Sequence, residues 1–258
     1  TMTLGEKYFG GIQEKVWNLI YNRALHPGFD EIGTQAVFPY VPPVERDKDS
    51  KYEGAIVLEP DRGFYGRKKV RSASTGEERE IMQWVCVADF MSLYPTIIIL
   101  LNLCMCTMLD RKSPVSEKHH VTPIGARFVH QDVRKGLLPL IEEGLLADRG
   151  KVKKEEAAAK SAGDAGRANL KNKQQLAIKK TCNSIYGVTG ASGARYPCFD
   201  IAESITGKGR ELIAMATGVA ESIGARVVYG DTDSIMFTFG DRELTLAQAF
   251  ELLQQVCD

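Results

Sequence analysis

The stretch Arg226-Val227-Val228-Tyr229-Gly230-Asp231-Thr232-Asp233-Ser234-Ile235-Met236-Phe237 decides how this chain is read. Two runs rich in β-branched and aromatic residues flank a polar turn, which predicts strand, tight turn, strand. Asp231 and Asp233 stand at i and i+2 across that turn, so both carboxylates can project toward one region. Upstream, Trp84-Val85-Cys86-Val87-Ala88 reads as a buried strand ending at Asp89. A carboxylate at the end of a buried strand is costly unless something offsets its charge. With Asp89 on a neighbouring strand, three oxygen sources could converge on hard cations. Mg²⁺ takes one or two protein carboxylates and completes its octahedron with water and phosphate. Two such ions would activate an attacking oxygen and stabilise a leaving one. The competing reading of Tyr229 to Ser234, taken alone, is a solvent-facing turn, because Gly230, Asp231 and Thr232 are good turn formers. Locally the two readings balance.

Between these anchors the pattern turns helical. A helix is predicted from about Tyr94, and the apolar stretch Ile97 to Leu109 reads as buried helix. From Val133 to Leu146 the residues Val133, Leu137, Leu138, Leu140, Ile141, Leu145 and Leu146 fall at helical spacing. Ala157 to Ala168, with Gly163 and Gly166, predicts the turn between two antiparallel helices, the second running from about Leu170 through Ile185. Two helices with a polar tip make an arm, and the arm is cationic. From Arg149 to Lys180 there are 10 basic residues against Glu155, Glu156 and Asp164. Net charge over the chain is zero, so bulk balance gives no sign of a polyanion partner, whereas this local excess does. A further helix is predicted near Ile201 to Ile223. At the other end, a helical pattern (Ile12, Val16, Leu19, Ile20) leads into a Pro-rich charged connector, Pro39 through Ser50. A short β-rich run, Ala55 to Leu58, and a polar loop or hairpin tip, Arg67 to Glu80, come next.

With 258 residues, 44% apolar and 26% charged, the chain has the composition of an ordinary globular protein. Six cysteines (Cys86, Cys104, Cys106, Cys182, Cys198, Cys257) show no C-x-x-C pair and no His at ligand spacing, which predicts reduced, mostly core thiols. His119 and His120 read as solvent-facing on a polar loop. No signal-peptide pattern opens the chain, and no apolar run reaches the ~20 residues of a membrane span. The first residue is not Met, and the chain stops inside an amphipathic pattern, Leu244 to Val256. Both ends are therefore expected to be cuts through a longer protein.

Three segments now stand in order: Asp89-Phe90-Met91-Ser92-Leu93-Tyr94-Pro95, Lys179-Lys180-Thr181-Cys182-Asn183-Ser184-Ile185-Tyr186-Gly187 and Tyr229-Gly230-Asp231-Thr232-Asp233-Ser234. They resemble the three polymerase motifs of the family B DNA polymerases, in that family's order. The likeness extends through Tyr52-Glu53-Gly54-Ala55, Gly136-Leu137-Leu138-Pro139 and Ser204-Ile205-Thr206-Gly207, about residues 50 to 240. Within the family it is most similar to the eukaryotic polymerase delta type and its relatives in large DNA viruses. The implied fold is α+β, a palm with a mixed or antiparallel sheet covered by helices on one side, plus a two-helix antiparallel fingers arm. Implied boundaries are a connecting segment at 1–50, palm at 51–132, fingers at 133–187 and the second part of the palm at 188–258, truncated before the thumb.

The resemblance implies roles for particular residues. Asp89 and Asp233 would hold two Mg²⁺ ions with the Phe90 carbonyl as a further ligand, and Asp231 would be secondary. Backbone amides of Ser92 and Leu93 would cradle the triphosphate of a dNTP. Tyr94 would lie under the sugar and exclude a 2′-hydroxyl. Arg149 and Lys153, four apart on one helix face, would meet the triphosphate with Lys179 and Asn183. Lys151, Lys154, Lys160, Lys171 and Lys173 read instead as a solvated face. Tyr186 and Gly187 would pack on the nascent base pair, and Tyr52 and Gly54 would touch the template strand. The implied reaction is template-directed attack of a primer 3′-hydroxyl on a dNTP. Its partners would be primer-template DNA and dNTPs, with a processivity factor for the parent protein and no membrane. The implied location is intracellular, in a eukaryotic nucleus or at a viral replication site. Thr96 and Leu101 depart from the family's usual Ser and His. A non-catalytic DNA-binding remnant and a metal-dependent nuclease are the competing classes. The first would be marked by loss of a metal carboxylate, and Asp89 and Asp233 are both present; the second has no use for Tyr94 or a cationic arm.

Overall fold

The computed structural model describes residues 11–24, 52–71, 76–112, 114, 116, 118–191 and 197–257. In chain order these form α1 (Ile12–Ala24), β1 (Val57–Leu58), β2 (Arg67–Arg71), β3 (Glu78–Met82), β4 (Val85–Asp89), α2 (Leu93–Leu100), β5 (Met108–Leu109), β6 (His119–Val121) and β7 (Arg127–Val129). They continue with α3 (Leu137–Ser161), α4 (Ala165–Thr189), α5 (Phe199–Ser222), β8 (Arg226–Asp231), β9 (Ser234–Thr238) and α6 (Leu246–Cys257). The class is α+β, and every strand pair is antiparallel. The connector from Pro39 to Ser50 lies outside the described residues.

The chain divides into two compact units. One joins Thr1–Glu53 to Tyr94–Gly207, and the other joins Gly54–Leu93 to Lys208–Asp258. The second holds the four-stranded sheet, ordered β1-β8-β9-β4. Alternation along β4 and β9 places Cys86, Ile235 and Phe237 in a core shared with Ile213 and Ala220 of α5 and Ala249 of α6. The Trp84 indole Nε1–H donates to the Leu244 carbonyl at 2.8 Å, closing that core. Polar Arg67 to Glu80 folds as the hairpin β2–β3, in register from Arg67↔Met82 to Arg71↔Glu78.

β4 departs from expectation. It is an edge strand, and Val85 and Val87 are 38% and 49% exposed, so only one face is buried. Asp89 is accordingly exposed, and the burial cost that a fully buried strand would impose on it does not arise.

In the first unit, α3 and α4 form an antiparallel pair, and α1 packs on both, burying Val16, Trp17 and Ile20. α3 starts at Leu137 rather than near Val133, which is an exposed turn residue, because Gly136 caps the helix and Pro139 sits in its first turn, where no intrahelical N–H is needed. The turn between the helices is shorter than the composition suggested, since alanines propagate helix on both sides. Gly163 takes φ +72 and the Asp164 carboxylate accepts from the Arg167 amide at 2.9 Å. α2 stops at Leu100 instead of running to Leu109, and the chain turns at Asn102, whose φ is +52. His119 and His120 also differ from expectation. They lie half-buried on β6 of the sheet β5-β7-β6, and the His120 ring packs against His130 at 4.7 Å.

Candidate active site

β8 and β9 pair as Tyr229↔Met236, Gly230↔Ile235 and Asp231↔Ser234, leaving Thr232 and Asp233 as a two-residue turn. A register shift between Val227 and Tyr229 inserts Val228, whose carbonyl accepts from the Asp61 amide at 2.7 Å. That bulge resets which residues face which side just before the acidic turn. On the other flank of β9, Asp89 pairs with Ser234. Asp89, Ser234 and Asp231 therefore form one row across three adjacent strands, and residues of one row project from the same face. The Phe90 amide donates to the Asp233 carbonyl at 2.7 Å, which carries the ladder one step past Asp89.

The turn is held in a costly conformation. Thr232 has φ +55, a region β-branched residues rarely occupy. Its amide donates to the Ile56 carbonyl at 3.0 Å and its hydroxyl to Asp231 Oδ1 at 2.8 Å. The Tyr229 hydroxyl reaches Asp231 Oδ2 at 3.4 Å. Both Asp231 oxygens thus face hydroxyls of their own hairpin, whereas Asp89 is exposed and Asp233 half-buried. Close approach explains Gly230, where an added Cβ would meet Leu58 at 2.9 Å and the Ser234 carbonyl at 3.3 Å.

Among the described residues no three His, Cys, Asp or Glu side chains are arranged to hold a metal ion. The sheet instead offers Asp89 and Asp233 with the backbone of Phe90 beside them. These are oxygen donors only, with no thiolate or imidazole, the chemistry suited to a hard divalent cation that keeps water and phosphate in its remaining positions.

The residues proposed for the nucleotide fall into two sets. Ser92 and Leu93 belong to the unit of the sheet. Ser92 has φ +57 immediately before α2, and a left-handed residue at a helix start is a backbone pattern of anion-binding nests. Tyr94, Arg149, Lys153, Lys179, Asn183, Tyr186 and Gly187 belong to the other unit. On α4, Gln175, Lys179, Asn183 and Gly187 recur at four-residue spacing, and the last three are exposed. From α3, Arg149 Nε donates to Gln175 Oε1 at 3.3 Å, which sets the guanidinium on that same α4 stripe. Lys153, one turn further along α3, is exposed. The other lysines are less uniformly solvated than their spacing suggested. Lys171 is paired across the helices to Glu155 at 2.6 Å, Lys160 to Glu156 at 2.6 Å and Lys151 to Asp148 at 3.3 Å.

At the arm's base, Tyr94 and Tyr186 pack ring against ring at 4.6 Å. The Tyr186 and Tyr52 hydroxyls are 3.2 Å apart, and burial, followed by the Tyr52 hydroxyl, raises the Tyr186 phenol above its ordinary range. Gly190 lies so close to Tyr52 that an added Cβ would overlap its hydroxyl. In the other unit, the exposed Gly54 carbonyl accepts from Arg210 at 2.5 Å.

Sequence reading missed two residues that organise this region. Asn102 is fully buried; its Nδ2 donates to the carbonyls of Val129 at 2.7 Å and Arg134 at 2.8 Å, and its Oδ1 accepts from the Gly136 amide at 2.8 Å. Glu142 on α3 is also fully buried, and neither carboxylate oxygen has a nitrogen or oxygen partner among the described residues. Burial pushes its carboxyl up to about 8, while the neighbouring Cys182 thiol draws it back down. A polar residue inside a helical apolar pattern was the available signal for Glu142; Asn102 had none, because its partners lie 27 to 34 residues away.

The family model of DNA polymerase family B matches residues 29–256. The chain is 35% identical to the DNA polymerase delta catalytic subunit of Bos taurus, over 99% of this chain and 22% of that protein. It is 36% identical to the DNA polymerase delta catalytic subunit of Candida albicans, over 76% of this chain and 18% of that protein. Among solved structures it is similar to the family B DNA polymerase from the hyperthermophilic archaeon Pyrobaculum calidifontis. That match has a TM-score of 0.62 at 27% identity and covers 95% of this chain and 28% of the other. The chain spans about a fifth of the length of the curated relatives it matches.

Proposed function

The chain belongs to DNA polymerase family B, and from that premise we propose that it carries the palm and fingers of a polymerase that extends a primer by template-directed addition of dNTPs. The observation that carries this reading is the row Asp89–Ser234–Asp231 with Asp233 in the adjoining turn, an oxygen-only donor set at one end of a sheet. Asp89 and Asp233, with the Phe90 carbonyl, would hold two Mg²⁺ ions. When bound, such ions lower the cost of ionising the primer hydroxyl and neutralise charge on the departing pyrophosphate. Asp231, engaged by the Thr232 and Tyr229 hydroxyls, would keep the turn in shape.

The remaining roles rest on charge and shape. Ser92 and Leu93 would offer backbone amides to the triphosphate, and Arg149, Lys153 and Lys179 would neutralise its phosphates, with Asn183 on the same stripe. Tyr94 would bar a 2′-hydroxyl, held in place by its packing on Tyr186. Tyr186 and Gly187 would present a flat, open surface to the nascent base pair, and Tyr52 and Gly54 would meet the template. Residues 51–132 and 188–258 are assigned to the palm, 133–187 to the fingers and 1–50 to a connecting segment. The parent protein would work with a processivity factor, in a eukaryotic nucleus or at a viral replication site.

Template-directed primer extension with Mg²⁺ and dNTPs, comparing the chain with its Asp233→Ala variant, tests the reading. Incorporation that copies the template and disappears in the variant is the expected result. Incorporation that survives the substitution overturns the site assignment.

A further inference from the structure

Cys104 and Cys106 flank Met105 in the turn after α2, and the structure brings their thiols into a hydrogen bond with Sγ to Sγ 3.3 Å apart. Neither has a part in nucleotidyl transfer. Their surroundings differ. Cys104 is 1% exposed, and burial, together with the Cys106 thiol, raises its own thiol. Cys106 is 8% exposed, and the Cys104 hydrogen bond, the Leu137 backbone at the start of α3 and the Arg134 guanidinium outweigh its burial and hold it below the ordinary thiol range. Both thiols are buried, and what singles the pair out is contact: Cys104 stands within hydrogen-bond distance of Cys106, so a second thiol is in place to resolve Cys106 once that is oxidised.

The surrounding bonds tie this pair to the root of the arm. The Thr107 hydroxyl donates to the carbonyls of Asn102 at 2.5 Å and Cys104 at 3.0 Å, and Asn102 in turn holds Arg134 and Gly136. A Cβ added at Gly136 would fall 2.7 Å from the Cys104 Cβ, so the dithiol turn and the first turn of α3 are in direct contact.

We propose that Cys104 and Cys106 form a redox-modifiable dithiol at the root of α3, oxidised by hydrogen peroxide to an intramolecular disulfide. The Cys106 thiolate attacks one peroxide oxygen, the O–O bond breaks, and the displaced hydroxide takes up the proton Cys106 has released, leaving as water. Cys106 is then a sulfenic acid. The Cys104 sulphur attacks the Cys106 sulphur, the S–O bond breaks, and the hydroxyl departs with the Cys104 proton as a second water. Two thiols have given up two hydrogens and two electrons, and the peroxide has become two waters. Bringing the sulphurs from 3.3 Å to the ~2.05 Å of a disulfide requires the turn to tighten where Asn102 and Thr107 hold it.

Limited hydrogen peroxide treatment of the folded chain, then alkylation of remaining thiols and peptide mass mapping, tests this without reference to polymerase activity. The peptide carrying Cys104 and Cys106 should lose two hydrogens, resist alkylation, and regain both thiols with dithiothreitol. It should form at least about tenfold faster than oxidation of Cys86, Cys182 and Cys198, which are buried as Cys106 is but whose thiols burial raises. Alkylatable Cys104 and Cys106 under peroxide that fully oxidises the exposed Cys257, or oxidation of Cys106 alone to a sulfinic acid, would overturn the proposal.

Discussion

At the scale of the residue, the acidic turn separates two kinds of carboxylate. Asp89 is exposed at a strand end, so Asp89→Asn removes charge without disturbing packing. Primer extension is expected to fall by at least about a hundredfold, the range seen when a group stabilising transition-state charge is lost, with the unfolding midpoint unchanged. Asp231 differs because Thr232 and Tyr229 hydroxyls use its oxygens. Asp231→Asn should cost less activity than Asp89→Asn and lower stability by roughly 1 kcal/mol, from disturbed hydroxyl bonds at a turn already in a strained conformation. Single-turnover extension and urea unfolding on the same samples separate the two effects. Sequence showed that Asp231 and Asp233 share one turn and that Asp89 ends a separate strand far upstream. It did not show their inequality, since that arises from the φ of Thr232 and from which hydroxyls lie within reach.

At the scale of the element, the pairing of α3 with α4 buries Glu142 beside Cys182, on an interface that otherwise demands apolar groups. Its folded carboxyl titrates near 8 against 4.5 unfolded, so the folded chain binds the extra proton between those values. Stability should therefore decline as pH rises through that window, by up to about 1.4 kcal/mol per pH unit. Glu142→Gln should flatten this slope and exceed the parent's stability at about pH 8 in chemical denaturation. An unchanged slope would show that the carboxyl is not the group titrating. A second prediction concerns the C-terminal cap of α4. Gly190→Ala would drive a methyl into Tyr52 and leave Ala202 Cβ at 3.1 Å, so the Tyr52–Tyr186 hydroxyl contact should break. The expected cost is about 1–3 kcal/mol, read from the thermal midpoint, with a shift in tyrosine fluorescence.

At the scale of the whole molecule, charge is balanced overall and polarised locally. A chain with net charge zero has no general attraction for DNA, so affinity must come from local cationic surface such as the arm. Primer-template affinity is expected to fall linearly in log–log plots against salt concentration, as counterion release requires, despite the neutral balance. Fluorescence anisotropy across a salt series reads the slope, and a slope near zero would contradict the assignment of the arm to a polyanion.

Periodicity and turn chemistry, which are local properties of the chain, determined much of this protein. They predicted the antiparallel arm and the strand–turn–strand of the acidic hairpin, and motif order pointed to the family. Boundaries moved where a local feature outweighed periodicity, as at Leu100, where Asn102 turns left-handed, and at Gly136, which starts α3 late. Only the tertiary structure decided the rest. The Asp89–Ser234–Asp231 row depends on the register of β9 against β4 and β8, and β4 lies far from the other two in the chain. Asn102 depends on carbonyls brought back by β7, and the Tyr52–Tyr186 contact spans 134 residues. Even Cys104 and Cys106, two apart in sequence, become a pair only because the turn folds their sulphurs together against α3. Local sequence encodes conformational preference residue by residue; which side chains meet is set when distant segments close on a common core.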